Sequence, residues 1–321
     1  MRREGSPFTG VGPVFTKELA DHLSSIRMMV LTLFVIVFGA FPVASSLQQL
    51  RTVVSADAYL FLRIFTLEPE RVQITFVTAL NFIIPLMAIG LGFDSVNSEF
   101  NRRTLSRVLS QPIYRDALLL GKFLGGLATL AVGLMALWLI VFGAGLLLLG
   151  VPPGGVEVAR AAGFLVVAIA YGGVWLAVSM LFSVIFRSTA TSALCALGLW
   201  LFFFILWPMV ASSIAMSMAP VQFTSADELL GFEQFGQALM RVSPGTLFSE
   251  AVAALLNPET RVFGDFSNLF LARSRGTIPN APLPFDQSLL LIWPQVTGLV
   301  AAMIVLFAAA YVIFQREEVR A

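Results

Sequence analysis

The residues whose types could carry chemistry are concentrated between positions 94 and 122. This stretch contains two acidic residues at its start and a run of basic ones: Asp94, Glu99, Arg102, Arg103, Arg107, Arg115 and Lys122. Its end, Gly121-Lys122-Phe123, partly matches a phosphate-binding loop, but Asp116 and Phe123 replace the Gly and the Ser or Thr that this loop requires. The chain therefore lacks this ATP-binding motif, and pumping would need an ATPase on another chain.

The sequence also argues against other kinds of active site. It has a single His22 and a single Cys195, which excludes a multi-histidine metal site and an internal disulfide. The metal-binding His-Glu-x-x-His motif is missing, and the apolar segments contain almost no ionisable residues. We therefore predict that the chain is not an enzyme and has no metal site or cofactor of its own.

The composition is that of an integral membrane protein. Of 321 residues, 58% are hydrophobic and only 12% are charged, and the mean hydropathy is +0.87. The net charge of +1 gives no reason to expect a nucleic-acid partner. A span takes roughly 20 apolar residues. We predict six spans, at 28–47, 73–92, 120–149, 161–186, 190–214 and 289–314. The first follows a basic segment that is long for a signal peptide, so we favour a retained span.

Basic residues predict how these spans are oriented. They are enriched in the N-terminal tail, in the segment after span 2, in the link at Arg187 and in the C-terminal tail. We therefore predict a multi-pass protein of the inner or plasma membrane with both termini in the cytoplasm. Residues 215–288 would then form a large extracytoplasmic loop, with helix signals that begin near Ser225 and near Thr246.

Two segments on the predicted cytoplasmic side are amphipathic. Residues 13–27 carry an apolar face at helical spacing, formed by Phe15, Leu19, Leu23 and Ile26. That face favours an interfacial helix over a plain cytosolic start to span 1. Residues 94–119 carry an apolar stripe beside the arginines: Phe100, Leu105, Val108 and Leu109. This second pattern is equally consistent with a helix in a partner's groove and with a basic loop on lipid headgroups.

The glycines next to this segment have a simpler role than phosphate binding. Gly121 and Gly125 are one helical turn apart at the start of span 3. Small residues at this spacing allow two helices to approach closely within a membrane. We predict a helix crossing at these two positions.

The order of these features resembles the exporter-type ("type 2") permease subunits of ABC transporters. The resemblance covers nearly the whole chain. Its motifs are Phe15-Thr16-Lys17-Glu18-Leu19, Ile84-Pro85-Leu86, Thr104-Leu105, Leu109-Ser110-Gln111-Pro112-Ile113 and Leu120-Gly121-Lys122. The middle motifs are most similar to the subgroup of copper-enzyme maturation permeases. Arg103 stands where the family often has Gly.

This resemblance implies one all-α membrane domain over 1–321 with six transmembrane helices. It implies an interfacial elbow helix within 13–27, a cytoplasmic coupling helix within 94–119 and the extracytoplasmic loop 215–288. The elbow residues would be Phe15, Lys17 and Glu18. The residues that couple to the ATPase subunit would be Glu99, Arg102, Arg103, Thr104, Leu105, Val108 and Leu109.

The resemblance also implies partners and a function. A cytosolic ABC ATPase subunit would bind ATP and Mg²⁺, and a second permease protomer, identical or related, would complete the transmembrane pathway. We expect an exporter permease. The alternative is a non-transporting, mechanotransmitting or anchoring subunit that acts on an extracytoplasmic protein through 215–288. A plug of tightly packed aromatics at Phe202, Phe203 and Phe204 would favour that alternative, and a continuous cavity between protomers would favour transport.

Overall fold

The computed structural model describes residues 10–50, 59–68, 74–101, 115–150, 152–219, 226–258 and 282–316. All regular secondary structure in these ranges is helical, which confirms the predicted fold class. Within them, six helices are long and apolar enough to cross a membrane. The helical bounds of these spans are Ile26–Leu50, Phe76–Gly92, Arg115–Leu149, Gly155–Ile185, Thr189–Ser217 and Phe285–Arg316. The predicted spans are therefore confirmed, and several are longer than expected.

Five shorter helices accompany the spans within the described ranges. They are the N-terminal helix Val11–Leu23, Leu60–Thr66, Asn97–Asn101, Ala226–Met240 and Pro244–Leu256. We call the end of the bundle where span 1 begins and span 6 finishes the terminal end. The N-terminal helix and the helix Asn97–Asn101 both lie at this end, because span 2 also finishes there.

Span 4 is the centre of the bundle. In its most apolar 18-residue window, 78% of the residues are buried, against 11% in the corresponding windows of spans 5 and 6. Its core side chains include Phe164, Tyr171 and Trp175. Few residues of spans 5 and 6 are therefore fully buried in the single chain, and lipid or a second protomer can cover the apolar surface that they expose.

The start of span 4 differs from the prediction. The predicted span 4 begins at residue 161, but the helix begins at Gly155 and therefore includes Glu157 and Arg160, whose side chains are buried in its first two turns. Glu157 explains the early start, because its carboxylate accepts the backbone N–H of Gly154 at 2.7 Å and that of Phe61 at 3.0 Å. Because Glu157 provides an acceptor for a backbone N–H group at the start of the helix, the helix can begin before this charged residue.

One helix of the predicted outer loop also packs differently from what we expected. The helices Ala226–Met240 and Pro244–Leu256 lie at the two sequence signals, but the second is not at the surface. Its inward-facing side chains are at most 1% exposed: Phe248, Ala251, Val252, Ala254, Leu255 and Leu256. An apolar helix of this kind is stabilised by burial against the spans, so it packs against spans 2, 4 and 6.

The two helices form a re-entrant hairpin. The first runs back along span 5, where the Trp207 indole N–H donates to the Leu239 carbonyl at 3.0 Å. The turn between the helices reaches the middle of span 4, because Phe248 stacks on Tyr171 with ring centroids 4.6 Å apart. The second helix then runs outward along span 4. The hairpin tip therefore lies between spans and not in an external loop.

Candidate functional site

A buried lysine joins three separate elements at the terminal end. Lys122, in the second turn of span 3, has its Nζ 2.8 Å from Glu18 Oε1 and 2.8 Å from Glu99 Oε1. The side chains of Lys122, Glu18 and Glu99 are only 5%, 12% and 16% exposed. Glu18 belongs to the N-terminal helix, and Glu99 lies in the short helix after span 2. We call these three residues the lysine triad.

The charges around the triad balance one another. Two carboxylates share one buried ammonium, and Lys17 approaches Glu18 Oε1 at 3.5 Å from the exposed side. Although partial burial lowers it, the carboxylates of Glu18 and Asp21 raise the pKa of Lys17 overall. Burial lowers the pKa of His22, which lies nearby on the same helix. At neutral pH, the charged form of the Lys17 ammonium and the neutral form of the His22 imidazole are therefore favoured.

Two glycines bring the N-terminal helix close enough to complete the triad. A Cβ at Gly121 would lie 2.7 Å from Val14 Cβ, and a Cβ at Gly125 would lie 2.9 Å from Glu18 Cβ. Any larger side chain at either glycine would overlap the N-terminal helix, so the helix would have to move away from span 3. The predicted helix crossing at Gly121 and Gly125 is confirmed.

Replacing Gly121 with valine is expected to detach the N-terminal helix from span 3, because the new methyl groups would overlap Val14. Overpacking of this kind costs about 1–3 kcal/mol or more. Gly143→Val in the same span is the matched control, since a Cβ there has no atom within 4 Å. Hydrogen exchange of residues 11–23 should accelerate only in the Gly121 variant, and equal exchange in the two variants would contradict this packing.

The end of span 2 is held by the end of span 4. Ser183 Oγ accepts the backbone N–H groups of Val96 at 3.0 Å and Asn97 at 3.2 Å. Asn97 Nδ2 donates to the Phe93 and Phe186 carbonyls at 3.2 and 3.3 Å. Asn101 Nδ2 donates to the Arg187 carbonyl at 3.0 Å. The start of segment 94–119 is thus hydrogen-bonded to span 4 and to the link that follows it.

Spans 1 and 6 are tied to the same region. Arg27, at the start of span 1, has its Nη1 2.6 Å from Asp94 Oδ2 and its guanidinium 5.3 Å from the centre of the Phe93 ring. Gln315, near the end of span 6, hydrogen-bonds Asp116 at the start of span 3. These polar contacts connect the two described ends of segment 94–119 to four different spans.

The structure brings together two of the residues that we predicted as functional. Glu18 and Glu99 meet at Lys122, whereas Lys17 is exposed and Phe15 is half-buried. The other predicted coupling residues lie outside the described residues: Arg102, Arg103, Thr104, Leu105, Val108 and Leu109. Their role stays a prediction.

The N-terminal helix packs on span 3 through residues outside the apolar face that the sequence predicts to lie in the membrane interface. Val14 and Glu18 are buried there, whereas Leu23 of the predicted apolar face is 49% exposed. Sequence reasoning also missed Lys122 as a functional residue. A lysine at the edge of an apolar segment signals an acidic partner, but the sequence does not say which of several carboxylates it contacts.

Comparison with known proteins identifies the family. The family model for ABC-2 family transporter proteins matches residues 13–319. A protein of Pseudomonas aeruginosa named "Probable ABC transporter permease protein NosY" is 35% identical over 155 residues, which are 47% of this chain and 54% of that relative. The protein of the same name from Stutzerimonas stutzeri is 28% identical over 183 residues, 51% of this chain and 65% of the relative.

The two alignments thus span between about half and two thirds of the relatives' lengths, whereas the family match covers nearly the whole chain. It includes all six apolar helices and every residue of the lysine triad. The chain belongs to the ABC-2 family of transporter proteins and is a multi-pass membrane protein.

Proposed function

We propose that this permease is energised by a separate ATPase chain that binds segment 94–119, and that the assembly is an exporter. The observation that carries this proposal is the simultaneous contact of Lys122 with Glu18 and Glu99, at 2.8 Å in each case. The contact joins the beginning of the segment to span 3 and to the N-terminal helix. The segment's other end continues directly into span 3 at Arg115.

Such a joint suits the transmission of force. Charge-assisted hydrogen bonds that are shielded from water are short and strong. A displacement of the segment would therefore move span 3 and the N-terminal helix together, and Ser183 would carry the movement to span 4. In this mechanism, the ATPase subunit with ATP bound binds one of two arrangements of the spans more tightly than the other. ATP binding therefore shifts the permease toward that arrangement.

The family membership supports further parts of the proposal, which concern the partner subunits and the placement of the chain in the membrane. We propose that ATP and Mg²⁺ are bound by the cytosolic ATPase subunit, that both termini are cytoplasmic, and that the N-terminal helix lies in the membrane interface. A second permease protomer, identical or related, would cover apolar surface that the single chain exposes on span 5. Phe202 and Phe204 belong to this surface and are 36% and 37% exposed.

The second candidate is a mechanotransmitting or anchoring subunit. The buried re-entrant hairpin favours it, because its second helix packs against spans 2, 4 and 6. Movement of the spans would then reach an extracytoplasmic protein through the hairpin. Of the three aromatics whose packing was expected to favour this candidate, Phe203 is half-buried against Trp175, whereas Phe202 and Phe204 are 36% and 37% exposed.

Replacing Leu105 with aspartate tests the coupling proposal. The change would bury a carboxylate in the ATPase interface, and an unpaired buried charge costs several kcal/mol, where each 1.4 kcal/mol is a tenfold loss of affinity. We expect at least a tenfold loss of the ATPase that co-purifies from native membranes, with unchanged thermal unfolding of the permease. Leu105→Met is the matched control and should retain the ATPase. Full ATPase recovery with Leu105→Asp would overturn the assignment of this segment.

A further inference from the structure

A cavity of about 210 Å³ lies between the second hairpin helix, Pro244–Leu256, and spans 2, 4 and 5. One wall is polar and includes Asn81, Tyr171 and Ser243. The opposite wall is aromatic and includes Trp200 and Phe204, which stack with ring centroids 5.6 Å apart. A pocket with an apolar wall and a few convergent polar groups is typical of small-molecule sites.

Three buried polar atoms on the residues that line this cavity lack a partner in the described part of the chain: Asn81 Oδ1, Trp175 Nε1 and Trp200 Nε1. Trp200 is only 4% exposed, and its indole Nε1 has no hydrogen-bond acceptor among the described residues. Asn81 Oδ1 is also buried without a donor in the described part of the chain, although Asn81 Nδ2 donates to Ser249 Oγ at 3.2 Å. The lining residues therefore carry two unused donors and one unused acceptor, which native proteins seldom leave buried.

Gly245 keeps the polar corner of the cavity open. A Cβ at this position would lie 3.2 Å from Asn81 Oδ1 and 3.6 Å from both Ser243 Oγ and Tyr171 Oη. Three oxygen atoms thus converge on the space that a side chain at residue 245 would fill. Gly245 also lies in the first turn of its helix, where Ser243 provides no side-chain cap. The backbone N–H groups of Thr246 and Leu247 in this turn both donate to the Ser243 carbonyl, at 3.1 and 3.3 Å.

The charge of the cavity favours a neutral ligand. Glu250 also lines it, but its Oε2 already accepts Arg241 Nε at 2.8 Å and Gln295 Nε2 at 2.8 Å. A cation would have to compete with Arg241 for this carboxylate, and an anion would be repelled by it. The stacked rings of Trp200 and Phe204 match a flat apolar body.

We propose that this cavity binds an uncharged molecule with a flat apolar body and a polar group that both donates and accepts hydrogen bonds, such as a primary amide. The group would donate to Asn81 Oδ1 and accept from Trp200 Nε1. The other apolar residues of the wall would cover its body. The site lies within a single chain and does not depend on an ATPase partner.

Three probes of similar size test the proposal: the neutral 4-fluorobenzamide, the anion 4-fluorobenzoate and the cation 4-fluorobenzylammonium. Fluorine NMR of each probe is recorded with the full-length protein in lipid nanodiscs, and empty nanodiscs correct for partition into lipid. We expect saturable binding of the amide and at least tenfold weaker binding of both ions. The absence of saturable binding would overturn the proposal. Equal affinity for all three probes would also overturn it, since the cavity would then not select a neutral amide.

Variants show whether the probe occupies this cavity. Gly245→Ala places a methyl group at the polar corner and should weaken amide binding at least tenfold. Gly198→Ala in span 5 is the matched control, because a Cβ there meets nothing within 4 Å, and it should bind normally. Trp200→Phe removes the N–H but keeps a ring and should weaken binding about threefold to tenfold. If Gly245→Ala fails to fold, Trp200→Phe decides, and unchanged amide affinity in that variant contradicts the site.

Discussion

Replacing Lys122 with methionine is expected to lower the free energy of unfolding by about 3–5 kcal/mol, the usual cost of removing one partner from a buried ion pair. Methionine preserves most of the side-chain length but removes the charge. Glu18 and Glu99 would then face each other without the shared ammonium that both contact at 2.8 Å. Their repulsion should push the N-terminal helix away from span 3.

Lys17→Met is the matched control for this change. Lys17 also lies near Glu18, at 3.5 Å, but its side chain is 64% exposed. An exposed ion pair contributes at most about 1 kcal/mol. Denaturant unfolding in detergent measures both changes, and hydrogen exchange of residues 11–23 locates the effect. Similar losses in the two variants would show that the triad does not hold the N-terminal helix.

Removing the carboxylates together with the ammonium should restore stability. In the triple variant Lys122→Met, Glu18→Gln and Glu99→Gln, no unpaired charge remains at the joint. A neutral replacement of a whole buried ionic cluster is often close to neutral in stability. We expect this variant to recover most of the loss seen with Lys122→Met alone. If the triple variant folds but no longer retains the ATPase, the charges of the triad are themselves required for coupling to the ATPase.

Replacing Arg160 with methionine is expected to cost about 3 kcal/mol or more and to loosen the re-entrant hairpin. Arg160 is fully buried, and its guanidinium donates to the carbonyls of Leu255 at 2.9 Å and Ala254 at 3.4 Å. It also donates to Ser288 Oγ at 3.1 Å and to the Leu283 carbonyl. A cation at a helix C-terminus satisfies its last carbonyls and its dipole. Each buried acceptor left without a donor costs about 1–3 kcal/mol.

Hydrogen exchange of residues 244–256 measures the loosening of the hairpin. A loss of about 3 kcal/mol corresponds to exchange faster by about two orders of magnitude, at 1.4 kcal/mol per factor of ten. Arg187→Met is the control, because Arg187 is exposed at the opposite end of span 4. Arg160→Lys should have an intermediate effect, since an ammonium cannot reproduce the planar fork of donors. Unchanged exchange in Arg160→Met would show that packing alone holds the helix.

The sequence determined the elements of this protein. Span length and hydropathy identified all six transmembrane helices, because a bilayer demands long apolar helices whatever their neighbours are. The small residues Gly121 and Gly125 identified a helix crossing, because close approach leaves no room for a Cβ. Motif order indicated the ABC permease family. These are local properties, which the chain carries before it folds.

Only the tertiary structure decided which polar groups meet. Glu18 and Lys122 are 104 residues apart in sequence, and Arg160 and Leu255 are 95 apart. In an apolar interior, a charge is stable only beside the groups that compensate it, and packing of the spans chooses those groups. Packing likewise decided that Pro244–Leu256 enters the bundle, since an apolar helix of 13 residues has the same local pattern in a loop or in a core.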